Sequence, residues 1–525
     1  MKKILLFAII SFCTNIVFAQ TDDALNYAST ITTNDLKKHL TIIAGEEMEG
    51  RETGTKGQQK AAAYIEAQFK AMGLNQAPSL KNYQQFYPLY KDSGLSTLNI
   101  DGKELVYGID YIAPITYNVP ANAEAKKIVF VGYGITDTNY DDYKGKNVKG
   151  KVVVFFTGEP KQGENYIVTG TTSNSMWTYS GLSEKLDLAK QNGAVAALVL
   201  NPSVDSFTKT SVETSKRTNI YYPRESEEGA NYILLSRAAA KNILGTDYFN
   251  SLLKKVKAAE ALNTKSKKDQ KIKFSFSYKK QKQKIDASNV IGVIEGSDKK
   301  DEYVFLTAHY DHLGKHNGKI YYGADDDGSG TCAVLEMAEA FKKAKTEGKG
   351  PRRTIVCMTV SGEEKGLWGS EYYSDHPVFP LDKTTVDLNI DMVGRVDTER
   401  KTADTLNYVY VVGHNKISTE LPVINEGVNN KYTQLQLDYK FDDPNDKQRI
   451  YFRSDHYNFA RKGVPVLFFY DGMLQADYHK PTDTIDKINW DLYQKRTRMI
   501  FHTAWEMANR DEMLKRDIPL SEEKR

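Results

Sequence analysis

The sequence predicts an α/β protein whose main sheet is mixed but mostly parallel and is flanked by helices, with a smaller α/β domain inserted. Two observations support this fold class. From Ser288 onward, short apolar runs alternate with helical stretches, and strands that alternate with helices form parallel sheets covered on both sides. A shorter strand–helix–strand pattern lies between Lys151 and Leu200. The apolar runs of the main sheet are 289–294, 303–308, 354–360, 386–392, 408–412 and 464–470.

The composition is that of a soluble globular protein with more than one domain. The chain has 525 residues, of which 40% are hydrophobic and 26% charged. At roughly 100–200 residues per domain, it is long enough for two to four domains. These values exclude a wholly disordered chain, a collagen and a multi-span membrane protein. Lys and Arg number 71 against 68 Asp and Glu, so no net charge draws the chain to nucleic acid or to an anionic membrane.

The first 19 residues have the pattern of a secretory signal peptide. Lys2 and Lys3 precede an apolar run from Ile4 to Ile10, and small residues near Ala19 favour cleavage before Gln20. The apolar run is too short and too interrupted for a membrane anchor. We therefore expect an exported protein, periplasmic or secreted, with no stable membrane anchor.

One helix is predicted before the middle region. Apolar residues recur at helical spacing from Gln58 to Met72, and Gly73 ends the pattern. The preceding stretch, Gly45 to Arg51, is predicted to be a loop.

The middle of the chain, residues 105–280, predicts a small α/β domain of its own. A helix is predicted from Ser183 to Gln191, closed by Gly193. Residues 255–285 are rich in Lys, which usually marks a solvated face or a linker rather than a binding patch. The predicted strands are 128–134, 151–156 and 194–200.

In the main domain, side chains that can bind a metal or move a proton follow four of the predicted strands. A further acidic group precedes a helix predicted at 329–344, and a last helix is predicted at 489–508. In open α/β sheets, sites form where the strands end. The groups are His309 to His312, Glu363-Glu364, Asp391, Tyr478-His479 and Asp325-Asp326-Asp327.

Each group has a simpler explanation when taken alone. His309 fits a hydrogen-bonded histidine, the three aspartates fit acids that cap a helix N-terminus, and Glu363 and Glu364 fit surface charge. Their recurrence at one edge of one sheet favours a site, because isolated charges after apolar strands are costly. Mixed His and carboxylate ligands suit zinc or a related divalent ion. Two adjacent glutamates allow one to bind metal while the other moves a proton.

Five motifs occur in order in the main domain: Ala308-His309-Tyr310-Asp311-His312, Gly323-Ala324-Asp325-Asp326-Asp327-Gly328-Ser329-Gly330, Ser361-Gly362-Glu363-Glu364, Asp391-Met392-Val393-Gly394 and Tyr478-His479. Together they resemble the M28 family of zinc exopeptidases, the co-catalytic di-zinc aminopeptidases and their relatives. The resemblance is strongest over residues 288–510, and Met48-Glu49-Gly50-Arg51 is similar to the family's opening segment. It implies a zinc-exopeptidase fold of the phosphorylase/hydrolase-like type.

The resemblance implies two zinc ions and a ligand for each position. His309 and Asp391 would bind one zinc, Glu364 and His479 would bind the other, and Asp326 would bridge them. Cobalt or manganese can take the place of zinc, because a sequence does not determine the ion.

The resemblance also implies the catalytic groups. Glu363 would be the general base, and Asp311 would orient His309 through its second ring nitrogen. Either Tyr478 or Tyr451 would donate to the oxyanion, because branches of the family differ in where they place this Tyr. A water between the two ions loses its proton near neutral pH, the base passes that proton to the leaving amine, and the Tyr hydroxyl holds the oxyanion.

The middle region resembles the protease-associated domain inserted in several M28 enzymes, on the strength of residues 131–134, 150–154 and 189–197. The alternative is a small α/β domain of another kind. We expect the inserted domain to form a wall of the substrate cleft or to limit substrate size.

The expected organisation is a signal peptide at 1–19, an N-terminal part of the peptidase domain at 20–104, the inserted domain at 105–280, the catalytic domain at 281–515 and a polar tail at 516–525.

We predict a metallo-aminopeptidase that acts on peptides with a free N-terminus. The carboxylates crowded in the predicted site suit the free ammonium group of a peptide N-terminus. A carboxypeptidase instead needs a cation that binds the C-terminal carboxylate of its substrate. Arg395 and Arg453 lie near the site motifs in sequence, so this alternative stays open. Glutaminyl cyclisation and a non-catalytic binding protein on the same fold are further alternatives. A serine or cysteine hydrolase is disfavoured, because the sequence has no G-x-S-x-G motif and Cys332 and Cys357 lie in apolar contexts. The sequence does not determine side-chain preference, native metal or oligomeric state.

Overall fold

The structure, a computed structural model, describes residues 22–520 apart from 180, 225–229, 263–268 and 402–403. The expected signal peptide and the last residues of the expected polar tail lie outside the described residues. The chain forms two compact units, of which the first comprises the segments up to Tyr87 and from Asp286, and the second is Pro88–Ile285. The expected limits of the inserted domain, 105 and 280, lie inside the second unit.

The first unit is built on a mixed, mostly parallel sheet. Its strands in chain order are β1 (Gln270–Ile294, of which residues from Asp286 belong to this unit), β2 (Lys299–His309), β3 (Arg353–Val360), β4 (Thr384–Ile390), β5 (Tyr408–Val412), β6 (Gln436–Asp438) and β7 (Val466–Tyr470). They lie side by side in the order β6-β5-β7-β4-β2-β3-β1. The pairs β3–β2, β2–β4, β4–β7 and β5–β6 are parallel, whereas β1 runs antiparallel to β3 and β5 runs antiparallel to β7. This confirms the predicted fold class.

Both faces of this sheet are covered, which explains why its strands are nearly continuous apolar runs. Successive side chains of a strand point to opposite faces. On β2, Val304 and Leu306 pack into one hydrophobic core and Phe305 into the other. On β3, Cys357 packs on the first side and Val356 on the second.

Helices of the first unit supply these two layers. The predicted helix ended by Gly73 is Lys56–Ala71, where Gly73 has a positive φ of 74°. The last helix begins where the Asn489 side chain accepts a hydrogen bond from the N–H of Leu492. The helices are Asp23–Ala28, Thr33–Ile43, Lys56–Ala71, Gly330–Thr346, Trp368–Asp375, Glu420–Tyr432, His456–Ala460 and Trp490–Asn509, with short helical turns at Glu46–Arg51 and Ile450–Phe452.

The second unit is a smaller α/β fold with its own core. Ala121–Phe130 pairs in parallel with Val152–Phe156, which pairs in parallel with Ala196–Leu200, and this strand with Tyr232–Leu235. Its other strands are Gln84–Ile100 (mostly in this unit), Lys103–Leu105, Tyr111–Ile112, Lys161–Gln162 and Asn165–Tyr166, and its helices are Met176–Tyr179, Gly181–Gln191, Lys209–Lys216, Arg237–Leu244 and Thr246–Lys257.

From Gln270 onward the Lys-rich stretch is a strand and not a linker, which corrects one of the two predictions made for residues 255–285. From Gln270 it forms the first part of β1, which pairs antiparallel with Ala121–Phe130. Ile272, Phe274 and Phe276 are buried, while residues between them are exposed. The lysines therefore occupy the solvated face of a strand whose other face closes the core of the second unit.

Among the described residues, no helix combines the length and the apolar composition needed to cross a bilayer.

Candidate functional site

The carboxyl ends of the parallel strands bring the expected site residues together. His309 is the last residue of β2, Glu363 and Glu364 follow β3, and Asp391 follows β4. The loop after β7 carries His479, whose backbone has a positive φ of 56°. Because neighbouring parallel strands end at the same edge of a sheet, residues far apart in the chain meet there.

Asp326 lies between two histidines at the centre of this cluster. Its Oδ1 lies 3.3 Å from His309 Nε2, and its Oδ2 lies 3.2 Å from His479 Nε2. Asp391 Oδ1 is 3.5 Å from His309 Nε2, and Glu364 Oε2 is 3.1 Å from His479 Nε2. We call His309, Asp326 and Asp391 metal position 1, and Asp326, Glu364 and His479 metal position 2.

The cluster has the free donor atoms that a divalent metal needs. Among the described residues, His309 Nε2, Asp326 Oδ2 and Glu364 Oε1 are buried without a hydrogen-bond partner. Buried polar atoms without a partner are costly. Imidazole and carboxylate donors together form the ligand set of zinc and related ions. The residues present therefore fit two metal ions that share Asp326.

The three consecutive aspartates make different contacts. Asp327 accepts three hydrogen bonds, at 2.8 to 3.1 Å, from backbone N–H groups at the end of β2, just after β4 and at the start of the helix Gly330–Thr346. Asp325 accepts one from the backbone after β4, at 2.8 Å. Asp325 and Asp327 therefore hold the strand ends and the helix start together, while Asp326 faces both histidines.

The second ring nitrogen of His309 is held by Asp311, but not through the carboxylate. His309 Nδ1 donates to the backbone carbonyl of Asp311 at 3.1 Å, and its distance to Asp311 Oδ1 is 3.7 Å. The Asp311 carboxylate instead accepts hydrogen bonds from Thr53 Oγ1 at 2.6 Å and from the Glu363 N–H at 3.2 Å. It therefore positions the backbone of Glu363.

Arg51 is a residue whose role sequence reasoning missed. Its guanidinium is fully buried and donates to the backbone carbonyls of Ile43, Tyr310, Tyr322 and Gly323 at 2.7 to 2.9 Å. The Tyr310 carbonyl lies in the His309–His312 segment, and those of Tyr322 and Gly323 lie at the start of the acidic motif, so Arg51 holds two ligand-bearing loops against each other. The resemblance of Met48-Glu49-Gly50-Arg51 to the family's opening segment drew attention to Arg51, but it did not indicate that the guanidinium donates to four backbone carbonyls.

A chain of polar side chains inside the sheet ends on Asp391. Thr307 Oγ1 contacts the Asn389 side-chain carbonyl at 3.0 Å, and the Asn389 amide donates to Ser454 Oγ at 2.8 Å. Ser454 Oγ donates to Asp391 Oδ2 at 2.6 Å. Ser454 thus orients a residue of metal position 1, a contact that the Ser454-Asp455-His456 sequence alone did not reveal.

The structure places one of the two candidate tyrosines at the cluster. Tyr478 lines the pocket beside it, and its hydroxyl accepts a hydrogen bond from Arg453 Nη2 at 3.1 Å. Tyr451 is absent from that lining and instead lines a separate cavity of about 420 Å³. Its ring packs edge-on against Phe452 and His456.

The pocket beside the cluster combines acids with apolar side chains. Of the two arginines considered as anionic-substrate anchors, Arg395 is engaged with Asp477 at 2.8 Å, whereas Arg453 lies on the pocket lining. The lining residues are Asp326, Glu363, Asp391, Met392, Ile450, Arg453, Phe468, Tyr470, Leu474 and Tyr478.

The crowded acids shift the titration of their neighbours. Burial raises the pKa of the Glu363 carboxyl well above its usual range, and the carboxylates of Glu364 and Asp391 raise it further. Burial lowers the pKa of His309, but the Asp391 and Glu363 carboxylates outweigh it, so the net pKa lies well above the ordinary value. An excess of buried negative charge is the electrostatic condition under which a site binds cations.

Residues 289–504 match the model of Peptidase family M28. This part of the chain is an M28 peptidase domain. The match includes every residue of the two metal positions and Glu363.

Curated relatives resemble parts of the chain. A probable glutamate carboxypeptidase of Arabidopsis thaliana is 38% identical over 104 residues, which are 20% of this chain and 14% of that protein. Aminopeptidase YwaD of Bacillus subtilis is 27% identical over 232 residues, 43% of this chain and 46% of that protein. The chain thus spans less than half the length of these relatives. A solved structure of a zinc aminopeptidase from Bacillus subtilis aligns with a TM-score of 0.45 and 18% identity, over 93% of this chain and 99% of that one.

Proposed function

We propose that this protein is an exported di-zinc exopeptidase that removes residues from the free N-terminus of peptides. The observation that carries the proposal is Asp326, which lies between two histidines that each have a further acid of their own. Zinc fits the donor set, because His and carboxylate ligands with open positions are typical of catalytic zinc.

Two ions bound at these positions would polarise the scissile carbonyl and lower the pKa of a water between them. Glu363 is the general base in this proposal. It lines the pocket, lies outside both metal positions, and has Oε2 3.9 Å from His309 Nε2. It accepts a proton from the attacking water and gives it to the leaving amine.

Tyr478 is the oxyanion donor in this proposal. Burial, with Asp326 and Glu363 nearby, raises the pKa of the Tyr478 hydroxyl, so it stays protonated. Arg453 donates to the hydroxyl oxygen, which leaves the hydroxyl proton free to donate to the developing oxyanion. The placement of Tyr478, and not Tyr451, on the pocket lining supports this choice.

The pocket supports a preference for an apolar N-terminal residue with a free amine. Its acids suit an ammonium group, and Met392, Ile450, Phe468 and Leu474 suit an apolar side chain. A carboxypeptidase is the second candidate. Arg453 on the lining and the name of the Arabidopsis relative favour it.

Substrate analogues that differ at one end separate the candidates. The assay uses zinc-loaded protein with a Leu-containing tripeptide that is free at both ends, N-acetylated, or C-amidated. An aminopeptidase cleaves the free and amidated peptides and spares the acetylated one. A carboxypeptidase spares the amidated peptide, a glutaminyl cyclase releases ammonia from a peptide with N-terminal Gln, and a binding protein leaves all of them intact.

We also propose that the protein is exported and that its second unit is a protease-associated domain. The signal-peptide pattern of residues 1–19 supports export. Cell fractionation of the full chain, beside a chain that lacks residues 1–19, tests it: a chain retained in the cytoplasm with its leader intact contradicts export.

A further inference from the structure

His312 is buried against the acids of metal position 2. Its Nδ1 lies 2.7 Å from Glu364 Oε1 and 3.7 Å from Asp326 Oδ2, and its ring centroid is 6.0 Å from that of His479. The side chain is fully buried, and its Nδ1 faces these two carboxylates. Glu364 also lies 3.1 Å from His479 Nε2, so two imidazoles face the same pair of buried carboxylates, and such a group is a donor set for a divalent ion.

The backbone is shaped to hold this ring. A Cβ on Gly323 would lie 2.6 Å from two ring carbons of His312, so only a glycine leaves room for the imidazole there. Gly323 has a positive φ of 57°, and its carbonyl accepts a hydrogen bond from Arg51. The N–H of His312 donates to the Arg51 carbonyl at 3.3 Å. Both the ring and the surface beneath it are therefore fixed by the same arginine.

A histidine that serves only to pack has different surroundings in this protein. His456 is equally buried, and its ring nitrogens also have no hydrogen-bond partner among the described residues, but its ring stacks on Phe468 with centroids 4.8 Å apart and forms no ion pair with a described carboxylate. His312, in contrast, lies with Asp326 and Glu364 in a group whose ligand atoms are all within 4.8 Å of one another.

We infer that His312 is a further protein ligand of metal position 2, which then has two imidazoles and two carboxylates. This rests on the proposed function. Metal position 1 keeps three protein ligands. Zinc sites with four protein ligands are closed, whereas those with three leave a place for water or substrate. Metal position 2 is therefore the tighter site and fills first, and metal position 1 is the more open of the two.

Zinc titration of the chelator-stripped protein by calorimetry tests this inference with His312→Asn. Wild type binds two ions with distinct affinities. In the variant, the tighter step weakens by at least about 10-fold, because even residues behind a ligand are worth 10–100-fold in metal affinity. The matched control is His502→Asn. His502 is another buried histidine and stacks on Tyr432 with centroids 4.0 Å apart, outside the cluster, so both zinc affinities are retained.

X-ray absorption spectroscopy of the wild-type protein with one equivalent of zinc tests whether His312 is a ligand even if the variant fails to fold. Two imidazoles on the bound zinc are expected, from His312 and His479. One imidazole overturns the inference, as do unchanged zinc affinities in a folded His312→Asn variant. Wild-type protein that binds no zinc contradicts the proposed function itself, so the two failures are distinguishable.

Discussion

Replacing Glu363 by Gln separates proton transfer from metal binding. Glu363 is one of three acids on the pocket lining, with Asp326 and Asp391, and it alone has no ligand role in our proposal. Its closest contact to a histidine of the cluster is the 3.9 Å to His309 Nε2, beyond hydrogen-bond distance. Its backbone N–H, which donates to Asp311, is unchanged by the substitution. We therefore expect the variant to keep the loop and both metal positions intact.

The expected loss of activity is that of a general base. Such groups contribute on the order of 10²–10⁴ in kcat, which is about 3–5 kcal/mol of barrier. The stability of the metal-free protein should stay the same or rise. Burial disfavours the ionised Glu363 carboxylate in the folded state, and a neutral amide does not carry that penalty.

The assay measures kcat and KM on a leucine anilide together with zinc content and urea unfolding. The matched control is Glu364→Gln, which changes the adjacent acid that lies 3.1 Å from His479 Nε2. This control is expected to lose zinc as well as activity. A Glu363→Gln variant that keeps more than a tenth of wild-type kcat would show that the base lies elsewhere. One that loses zinc would make Glu363 a ligand and refute the assignment.

Four further substitutions test other parts of the structure. Asp326→Ala should empty both metal positions, as measured by elemental analysis, because one carboxylate serves both; retention of one full equivalent of zinc contradicts bridging. Ser454→Ala removes the 2.6 Å hydrogen bond to Asp391 and should weaken zinc binding in chelator competition by about 10–100-fold, with recovery in Ser454→Thr. Arg51→Met removes the buried guanidinium that donates to four backbone carbonyls and should lower the free energy of unfolding by more than about 3 kcal/mol in urea titrations; a loss below about 1 kcal/mol contradicts this. Burial lowers the pKa of His502 to about 4 from 6.5, so the unfolded chain binds more protons between these pH values. Stability should fall by up to about 3 kcal/mol as the pH drops from 6.5 to 4, and His502→Gln should reduce this slope in unfolding titrations across that range.

The alternation of strands and helices in the first unit could be predicted from the sequence because it depends on local patterns. The apolar run 303–308 lies within β2, Lys299–His309, and the helix predicted at 489–508 is Trp490–Asn509. A parallel strand buried on both faces is a nearly continuous apolar run, and that pattern is visible without a structure. The same reasoning placed the candidate ligands after the strands, since the ends of parallel strands share one edge.

The Lys-rich segment shows where a local pattern misleads. Charge density favoured a solvated face or a linker for 255–285, yet residues from Gln270 form a strand. Alternate apolar residues at Ile272, Phe274 and Phe276 were the better signal, because a strand with one buried face needs only every second residue to be apolar.

The direction of each site side chain was decided only by the tertiary structure. Sequence places Asp325, Asp326 and Asp327 side by side, but the hydrogen bonds that Asp327 accepts from backbone groups at the end of β2 and just after β4 determine that Asp326 faces both histidines. The choice of Tyr478 over Tyr451 at the pocket, and the burial of His312 against Glu364, likewise depend on the path of loops between strands. Periodicity reports which face of an element is buried, whereas a side chain's partners depend on backbone torsions and on groups far away in the chain, which no local pattern encodes.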